Sequence, residues 1–313
     1  MNGCFVGFDT SNYTTSCAVC SVEGKILANV RIPLPVKSGE RGLRQSDAVF
    51  AHTRNLPEAV AGVRKVLRGV PVLAVGVSST PRRAEGSYMP CFLAGIAAAE
   101  SFASAADAPV LRFSHQEGHI RAALFSSGAT VAPDAPFVAF HVSGGTTEVL
   151  SVRRREVGFD AELIGGSADL HAGQAIDRVG VRMGLSFPCG KEMERLAGEN
   201  RKSVPAPRVS TDGTVCHLSG LENLAAGLWE KTSDRSLVSA FVMAFVAETL
   251  RRMTAGVDAQ TPGIPIVYAG GVMSNRAIQT VLSARPDSWF AAPEYSADNA
   301  AGIALLARDA ILK

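Results

Sequence analysis

Charge is scarce in this chain. Of its 313 residues only 19% are Asp, Glu, Lys or Arg, and 31 cations against 29 acids leave a formal charge of +2. A domain that relies on neutralising phosphates is far more basic, so a nucleic-acid partner is permitted but not demanded. Long apolar runs are missing too. The most apolar window, CFLAGIAAAESFASAA from Cys91, carries Glu100 and several serines. It is too short and too polar to span a bilayer and reads as a buried helix. The opening MNGCFVGFDTSNYTTS has no basic n-region and no apolar h-region, so no signal peptide and a cytoplasmic location are expected. A zincin motif is absent as well. HExxH needs Glu directly after its first His, and Gln116 stands there, which argues against a metallopeptidase. Cysteine is modest: Cys4, Cys17, Cys20, Cys91, Cys189 and Cys216. Cys17 and Cys20 form a CxxC, but in an apparent strand, where positions three apart face opposite sides. Buried, reduced thiols are the reading.

What is present suits a large core. Apolar residues make up 47%, and 30 glycines suggest tight turns and close helix–sheet packing. The length allows one large domain or two packed lobes of roughly 150 residues each. CFVGFDTS and TSCAVCSV read as a hairpin around Asn12–Thr15, followed by KILANVRIPL. The polar stretch KSGERGLRQSD reads as a loop before a helix from Asp47 to Leu67. VPVLAVGVS is a nearly continuous apolar strand, as in a sheet covered on both faces. The alanine-rich helix, the strand PVLRFS and a helix from His115 follow. A second hairpin, PFVAFHVS and TTEVLSVRR, turns at Gly144-Gly145. Ile164–Asn200 reads as turn, helix, loop and helix, and Arg201–Leu218 as an irregular insertion. A long helix (Ser236–Ala255), the strand IPIVYA, a helix from Asn275, a last strand and a helix from Asp298 complete the chain. Two similar α/β halves, each opening on a hairpin, suit the actin-like ATPase fold, in which two lobes enclose a nucleotide. The pattern alone suits a single doubly wound α/β domain equally.

SHQEGHI places His115 and His119 four apart on a predicted helix, one turn apart on one face, as a bidentate metal site requires. A solvated or helix-capping pair has the same spacing. An acidic third ligand must come from elsewhere, because Glu117, two positions along, points away from the pair. Ser143, Gly144 and Gly145 offer bare backbone N–H groups that a phosphate can approach, though a plain turn has the same composition. Asp177 lies on the polar face of an amphipathic helix. A strand ends in Gly270-Gly271, and Ser274 or Asn275 can cap the next helix. Arg82-Arg83 and Arg153–Arg155 read as solvated faces, with RNA contact the alternative.

Together these blocks resemble the TsaD family of tRNA threonylcarbamoyltransferases, the former glycoprotease group. EGSYMPCFLAGIAAAESFASAADAPVLRFSHQEGH resembles the family's glycine- and alanine-rich helix, strand and H-x-E-G-H run. YSADNAAGIALLA resembles its D-N-x-A motif, HVSGGTTEVL its phosphate loop and GQAIDRVGVRMGLSFPCGKEME its ribose block. IPIVYAGGVMSNRAIQ resembles its adenosine motif, and CHLSGLENLA its F-S-G-L block. The likeness covers nearly the whole chain. It implies an actin-like lobe over residues 1–132 and a second over 133–313, with the last helix packing back on the first. It implies one divalent metal, iron or zinc, on His115, His119 and Asp298. An adenine nucleotide or adenylate (ATP, AMP or threonylcarbamoyl-adenylate) would sit on Ser143, Gly144, Gly145, Thr146, Gly270, Gly271 and Asn275. Asp177 would take the ribose, with Gly190 against the nucleoside and Glu194 nearby. The implied reaction transfers threonylcarbamoyl from its adenylate to the tRNA adenosine beside the anticodon, with TsaB-like and TsaE-like proteins as partners.

The chain departs from that pattern around the reactive end. The family's first loop, E-T-S-C-D-E-T, becomes Asp9-Thr10-Ser11-Asn12-Tyr13-Thr14-Thr15, so two consecutive acids are Tyr13 and Thr14. The family's D-D-A-A-G-E becomes Asp169-Leu170-His171-Ala172-Gly173-Gln174, and the phosphate-loop His becomes Thr146. Those losses remove the plainest acid–base group. They also suit a diverged nucleotide- and metal-binding paralogue with a regulatory or scaffolding role, or a different carbamoyltransferase. His171 could substitute for a lost acid, although a lone His on a helix is commonly structural.

Overall fold

The computed structural model describes residues 3–11, 13–35, 43–132 and 134–312. Strands β1 (Cys4–Ser11), β2 (Thr14–Ser21) and β3 (Ile26–Pro33) form an antiparallel meander. Helix α1 (Gln45–Leu67) leads to β4 (Val72–Thr80), α2 (Phe92–Ala106), β5 (Val110–Ser114) and α3 (His115–Ser127). The strand order is β3-β2-β1-β4-β5, with β4 and β5 parallel to β1. All eight residues of β1 are buried. A central strand covered on both faces shows no polar alternation, so it reads as an apolar run. Val6, Phe8 and Cys17 pack with Leu56, Ala59 and Val63 of α1 and with Ala99 and Ala103 of α2. The expected loop from Lys37 lies largely outside the described residues, and α1 starts two residues before its predicted Asp47.

Cys17 and Cys20 both lie on β2 with no exposed surface. Burial pushes both thiols up to about 12. Cys17 belongs to the core beneath α1 and α2, whereas Cys20 lies within electrostatic reach of Arg308 and Asp309. All six cysteines are free and buried, which for Cys17 and Cys20 is what the strand reading expects.

The second sheet repeats the plan of the first. It uses β6 (Phe137–Val142), β7 (Thr147–Arg154) and β8 (Phe159–Ser167), followed by α4 (Ala172–Arg182) and α5 (Gly190–Glu199). Next come β9 (Ser210–Asp212), β10 (Val215–His217), α6 (Ser219–Thr232) and α7 (Arg235–Gln260). Strand β11 (Ile266–Ala269), α8 (Arg276–Leu282) and β12 (Ser288–Phe290) close it. The order β12-β11-β6-β7-β8 matches that of the first sheet read from its other edge, and β10 and β9 extend it beyond β8. Two sequence expectations are corrected here. Residues 159–167 form a third strand that was not predicted, because most of them are half-exposed and Gly165-Gly166 breaks any alternation. Residues 201–218, expected to be irregular, contain the β9–β10 pair. Helix α7 is buried on most sides and is capped by Asp234, whose carboxylate accepts from the N–H groups of Ser236 and Leu237.

Helix α9 (Ala301–Ile311) packs on β1, β2 and β4. It starts three residues after the predicted Asp298, which is left in the preceding turn. A Cβ on Gly302 would overlap the carbonyl of Gly118 on α3, so only glycine allows these two helices to meet this closely. Packing divides the chain into two compact units. One is Met1–Ser126 with Arg154–Ala161 and Glu294–Lys313; the other is Ser127–Arg153 with Glu162–Pro293. Among the described residues no helix is long and apolar enough to cross a membrane.

Candidate metal centre and nucleotide loops

Helix α3 begins with a reciprocal cap. The Ser114 hydroxyl accepts from the Glu117 N–H at 3.2 Å, and Glu117 Oε2 accepts from the Ser114 N–H and hydroxyl, both at 2.8 Å. This capping box satisfies donors that a helix start leaves open. Glu117 Oε1 also accepts from the Phe159 N–H at 3.2 Å. Glu117 is therefore a buried structural carboxylate. It is not the water-activating base that a peptidase needs between two histidines. The S-x-x-E spacing of this cap is present in the sequence as SHQE.

The cap sets the direction of α3, and its first two turns present His115 and His119. Their Nε2 atoms lie 2.9 Å apart. Asp298 Oδ1 stands 3.6 Å from His115 Nε2 and 3.3 Å from His119 Nε2. Asp298 is held by its neighbour: the Asn299 amide donates to the carbonyls of Tyr295 and Ala297, and Asn299 Oδ1 accepts from the Ala301 N–H. His115, His119 and Asp298 are also the trio whose donor atoms all lie close enough to share an ion. Ligand-to-ligand spacings of roughly 3.0–3.4 Å follow from metal–ligand bonds of about 2.1 Å; the observed 2.9, 3.3 and 3.6 Å bracket that range, so small side-chain shifts would bring the three atoms onto one ion. Two imidazoles and a carboxylate suit a borderline divalent metal.

Asp9 completes the arrangement, and sequence reasoning had given it no role. Its carboxylate Oδ2 accepts from His115 Nδ1–H at 2.7 Å, and its Oδ1 accepts from the Ser11 N–H at 2.9 Å. Nδ1 is thereby fixed as the donor, which turns Nε2 toward His119 and Asp298. This is the carboxylate–histidine support typical of metal ligands. Burial opposes charging His115, but the carboxylates of Asp9 and Asp298 outweigh it and raise the imidazole to about 10. Burial likewise works against ionising Asp298, yet the two imidazoles hold its carboxyl well below the usual range. The group of residues thus has the electrostatics of a cation site.

In the second unit, the turn Ser143–Thr146 joins β6 to β7. The Ser143 N–H donates to the Thr146 carbonyl at 2.7 Å and the Gly145 N–H to Ser143 Oγ at 3.3 Å. The N-terminus of α4 lies against this turn: the Gly173 N–H donates to the Ser143 carbonyl and the Ala172 N–H to Thr147 Oγ1. Nothing lies within 4 Å of where a Cβ would stand on Gly144 or Gly145. An exposed glycine turn beside a helix N-terminus is an anion-binding geometry. Gly270, after the adjacent parallel strand β11, has φ +102° and presses on the Val142 carbonyl. The two glycine turns therefore lie side by side at the carboxyl ends of neighbouring strands.

The remaining predicted residues are also drawn together, largely as caps. Asp177 accepts from the Cys189 N–H at 2.7 Å, next to Gly190, and burial pushes its carboxyl up. Glu194 accepts from the Arg276 N–H at 2.9 Å at the start of α8. Asn275, the other cap of α8, is buried; Oδ1 accepts from the Ile278 N–H and Nδ2 donates to Met243 Sδ. Asp169 caps α6 through the N–H groups of Leu218 and Ser219. His171 sits at the N-cap of α4, where Gln174 Oε1 accepts from its N–H.

Comparison with known proteins gives the fold and the family. By structure, the chain is similar to the activator of the 2-hydroxyisocaproyl-CoA dehydratase from Clostridium difficile with bound ADPNP. The TM-score is 0.53 at 13% identity, over 99% of this chain and 95% of that one. It is also similar to a ROK family glucokinase from Streptomyces griseus in complex with glucose and AMPPNP, at TM-score 0.52 and 15% identity over 98% and 99%. These likenesses establish the actin-like ATPase fold. By sequence, the tRNA N6-adenosine threonylcarbamoyltransferase of Streptococcus gordonii is 32% identical over 295 residues, covering 89% of this chain and 83% of that protein. The protein of the same description from Streptococcus sanguinis is 32% identical over 294 residues, with the same coverage. The profile of the family "TsaD: tRNA N6-adenosine threonylcarbamoyltransferase" matches residues 51–305. A capped helix with two histidines, an aspartate fixed beside them and a match spanning most of the sequence lead to one conclusion: the chain belongs to the TsaD family.

Proposed function

We propose that the protein transfers the threonylcarbamoyl group from threonylcarbamoyl-adenylate to the adenosine next to the anticodon in tRNA, in the cytoplasm and with one divalent metal, iron or zinc. The observation that carries this reading is the convergence of His115 Nε2, His119 Nε2 and Asp298 Oδ1 in a chain of this family. The metal would supply Lewis-acid polarisation of the transferred carbonyl. The chain's own contribution is orientation. Asp9 fixes His115 and Asn299 fixes Asp298. Ser143–Thr146 and Gly270-Gly271 offer backbone N–H groups to the adenylate, whose ribose is assigned to Asp177. Gly190, Glu194 and Asn275 belong to the same nucleotide-binding assignment. In the transfer, the adenosine N6 amine attacks the carbamoyl carbon, the carbon–oxygen bond to phosphate breaks and AMP leaves. The only acid among the described residues of the first turn is Asp9, which is tied to His115. The departing phosphate is therefore assigned the amine proton.

The test combines purified protein, iron or zinc, synthetic threonylcarbamoyl-adenylate and unmodified tRNA, alone and with TsaB-like and TsaE-like proteins. Modified nucleoside is expected with the intact chain and not with His119→Ala. One feature favours a second reading: Tyr13 and Thr14 stand where the family has acids, which suits a nucleotide- and metal-binding paralogue. Absence of product in every combination, with nucleotide binding intact, would establish the paralogue and reject the transferase.

A further inference from the structure

The arginine run 153–155 is not used by either candidate site. Its last two members stand at the tip of the β7–β8 hairpin, where the Arg155 N–H donates to the Gly158 carbonyl at 3.1 Å. The tip is anchored on α3, the helix that carries His115 and His119: the Phe159 N–H donates to Glu117, and a Cβ on Gly158 would overlap the Glu117 carboxylate. Beside this anchor lies a cavity of about 280 Å³, lined by Arg121, Arg154, Arg155, Phe159, Leu306 and Asp309, with Glu156 at its rim in the turn.

Three guanidiniums thus face one cavity, and they are not equally satisfied. Arg121 is held by Asp309, Nε to Oδ2 at 2.6 Å, and Asp309 also accepts from Arg308 at 2.8 Å. Arg155 pairs with Asp160 at 3.5 Å. Arg154 lies over the Phe159 ring, its guanidinium carbon 5.7 Å from the centroid. Among the described residues no carboxylate is paired with it. Burial, together with the charge of Arg121, pulls its guanidinium below the ordinary value, against the pull of Asp309. An arginine stacked on an aromatic ring beside a second cation, with its fork unused, is arranged to receive an oxyanion.

We propose that this cavity binds a phosphate group through Arg154, with Arg121 and Arg155 in support, and that the phosphate comes from the backbone of the tRNA. The proposal rests on the tRNA reading above for the source of the phosphate, and on the cavity alone for the chemistry. Its place fits an extended substrate. Arg121 follows His119 on α3, and Asp309 lies about 12 Å along α9 from the turn that carries Asp298, at about 1.5 Å per residue.

The test measures binding of an unmodified tRNA transcript across a potassium chloride series, with inorganic phosphate titrated separately by calorimetry. Arg154→Gln is compared with Arg251→Gln, which removes one exposed arginine on α7. Arg154→Gln is expected to weaken tRNA binding about tenfold and to lower the salt slope by about one, with Arg251→Gln close to the intact chain. Arg154→Lys, which keeps the charge and loses the fork, should fall between. If phosphate binding is lost in Arg154→Gln while tRNA binding is unchanged, the cavity stands and its source is free phosphate. If the intact chain binds phosphate through Arg154 but no tRNA, the site survives and the tRNA reading fails. Equal tRNA and phosphate binding by Arg154→Gln and Arg251→Gln would overturn the proposal.

Discussion

Asp9 shows how much one carboxylate can organise. Buried at the end of a central strand, it orders the following backbone through the Ser11 N–H and fixes the ring of His115 through Nδ1. A ligand histidine without such support samples other rotamers and loses basicity at Nε2. Asp9→Ala is expected to weaken zinc binding by about 10- to 100-fold, with Asp9→Asn, which keeps an acceptor, less affected. Competition against a chromophoric chelator measures this, and unchanged affinity in both variants would remove Asp9 from the site. The three proposed ligands could be picked out in the sequence because i,i+4 histidines leave a local signature and the resemblance to a D-N-x-A motif pointed to Asp298. Asp9 was not, since it meets His115 across 106 positions and no spacing rule connects them.

At the scale of the element, α3 depends on its first turn. Ser114→Ala removes the hydroxyl that accepts from the Glu117 N–H and donates to its carboxylate. The expected cost is about 1 kcal/mol, seen by calorimetry as a fall in Tm of about 2 °C in a chain of this size. Zinc affinity should fall with it, because the same turn carries His115. A Ser114→Ala protein with unaltered Tm would show that the cap is dispensable. The elements that sequence reading recovered were those with strong patterns: the buried strands β1 and β4, the alanine-rich α2 and the long α7. Strand β8 escaped because one edge of its apolar pattern is solvated and two glycines interrupt it. The short β9–β10 pair escaped because three-residue strands have no period to detect.

For the whole molecule, the division of ligands between units predicts separable behaviour. The proposed metal ligands lie in the unit that holds α3 and α9, and the glycine turns lie in the other. Any ligand of the native state stabilises it by mass action, by about 2.7 kcal/mol at a hundredfold excess over Kd. Zinc and AMP should therefore each raise the Tm of the chelator-treated protein in a thermal shift assay. His119→Ala is expected to abolish the zinc shift while keeping the AMP shift. Loss of both would contradict the assignment of the nucleotide to the glycine turns.

The two sheets share one strand order. In each sheet the first hairpin leaves the centre at the same topological position, β1 to β2 and β6 to β7. In the first sheet that position presents Asp9 beside the proposed cation site, and in the second it presents an exposed glycine turn beside the N-terminus of α4. One topological position is thus assigned ligands of opposite sign in the two sheets, a cation in the first and an anion in the second.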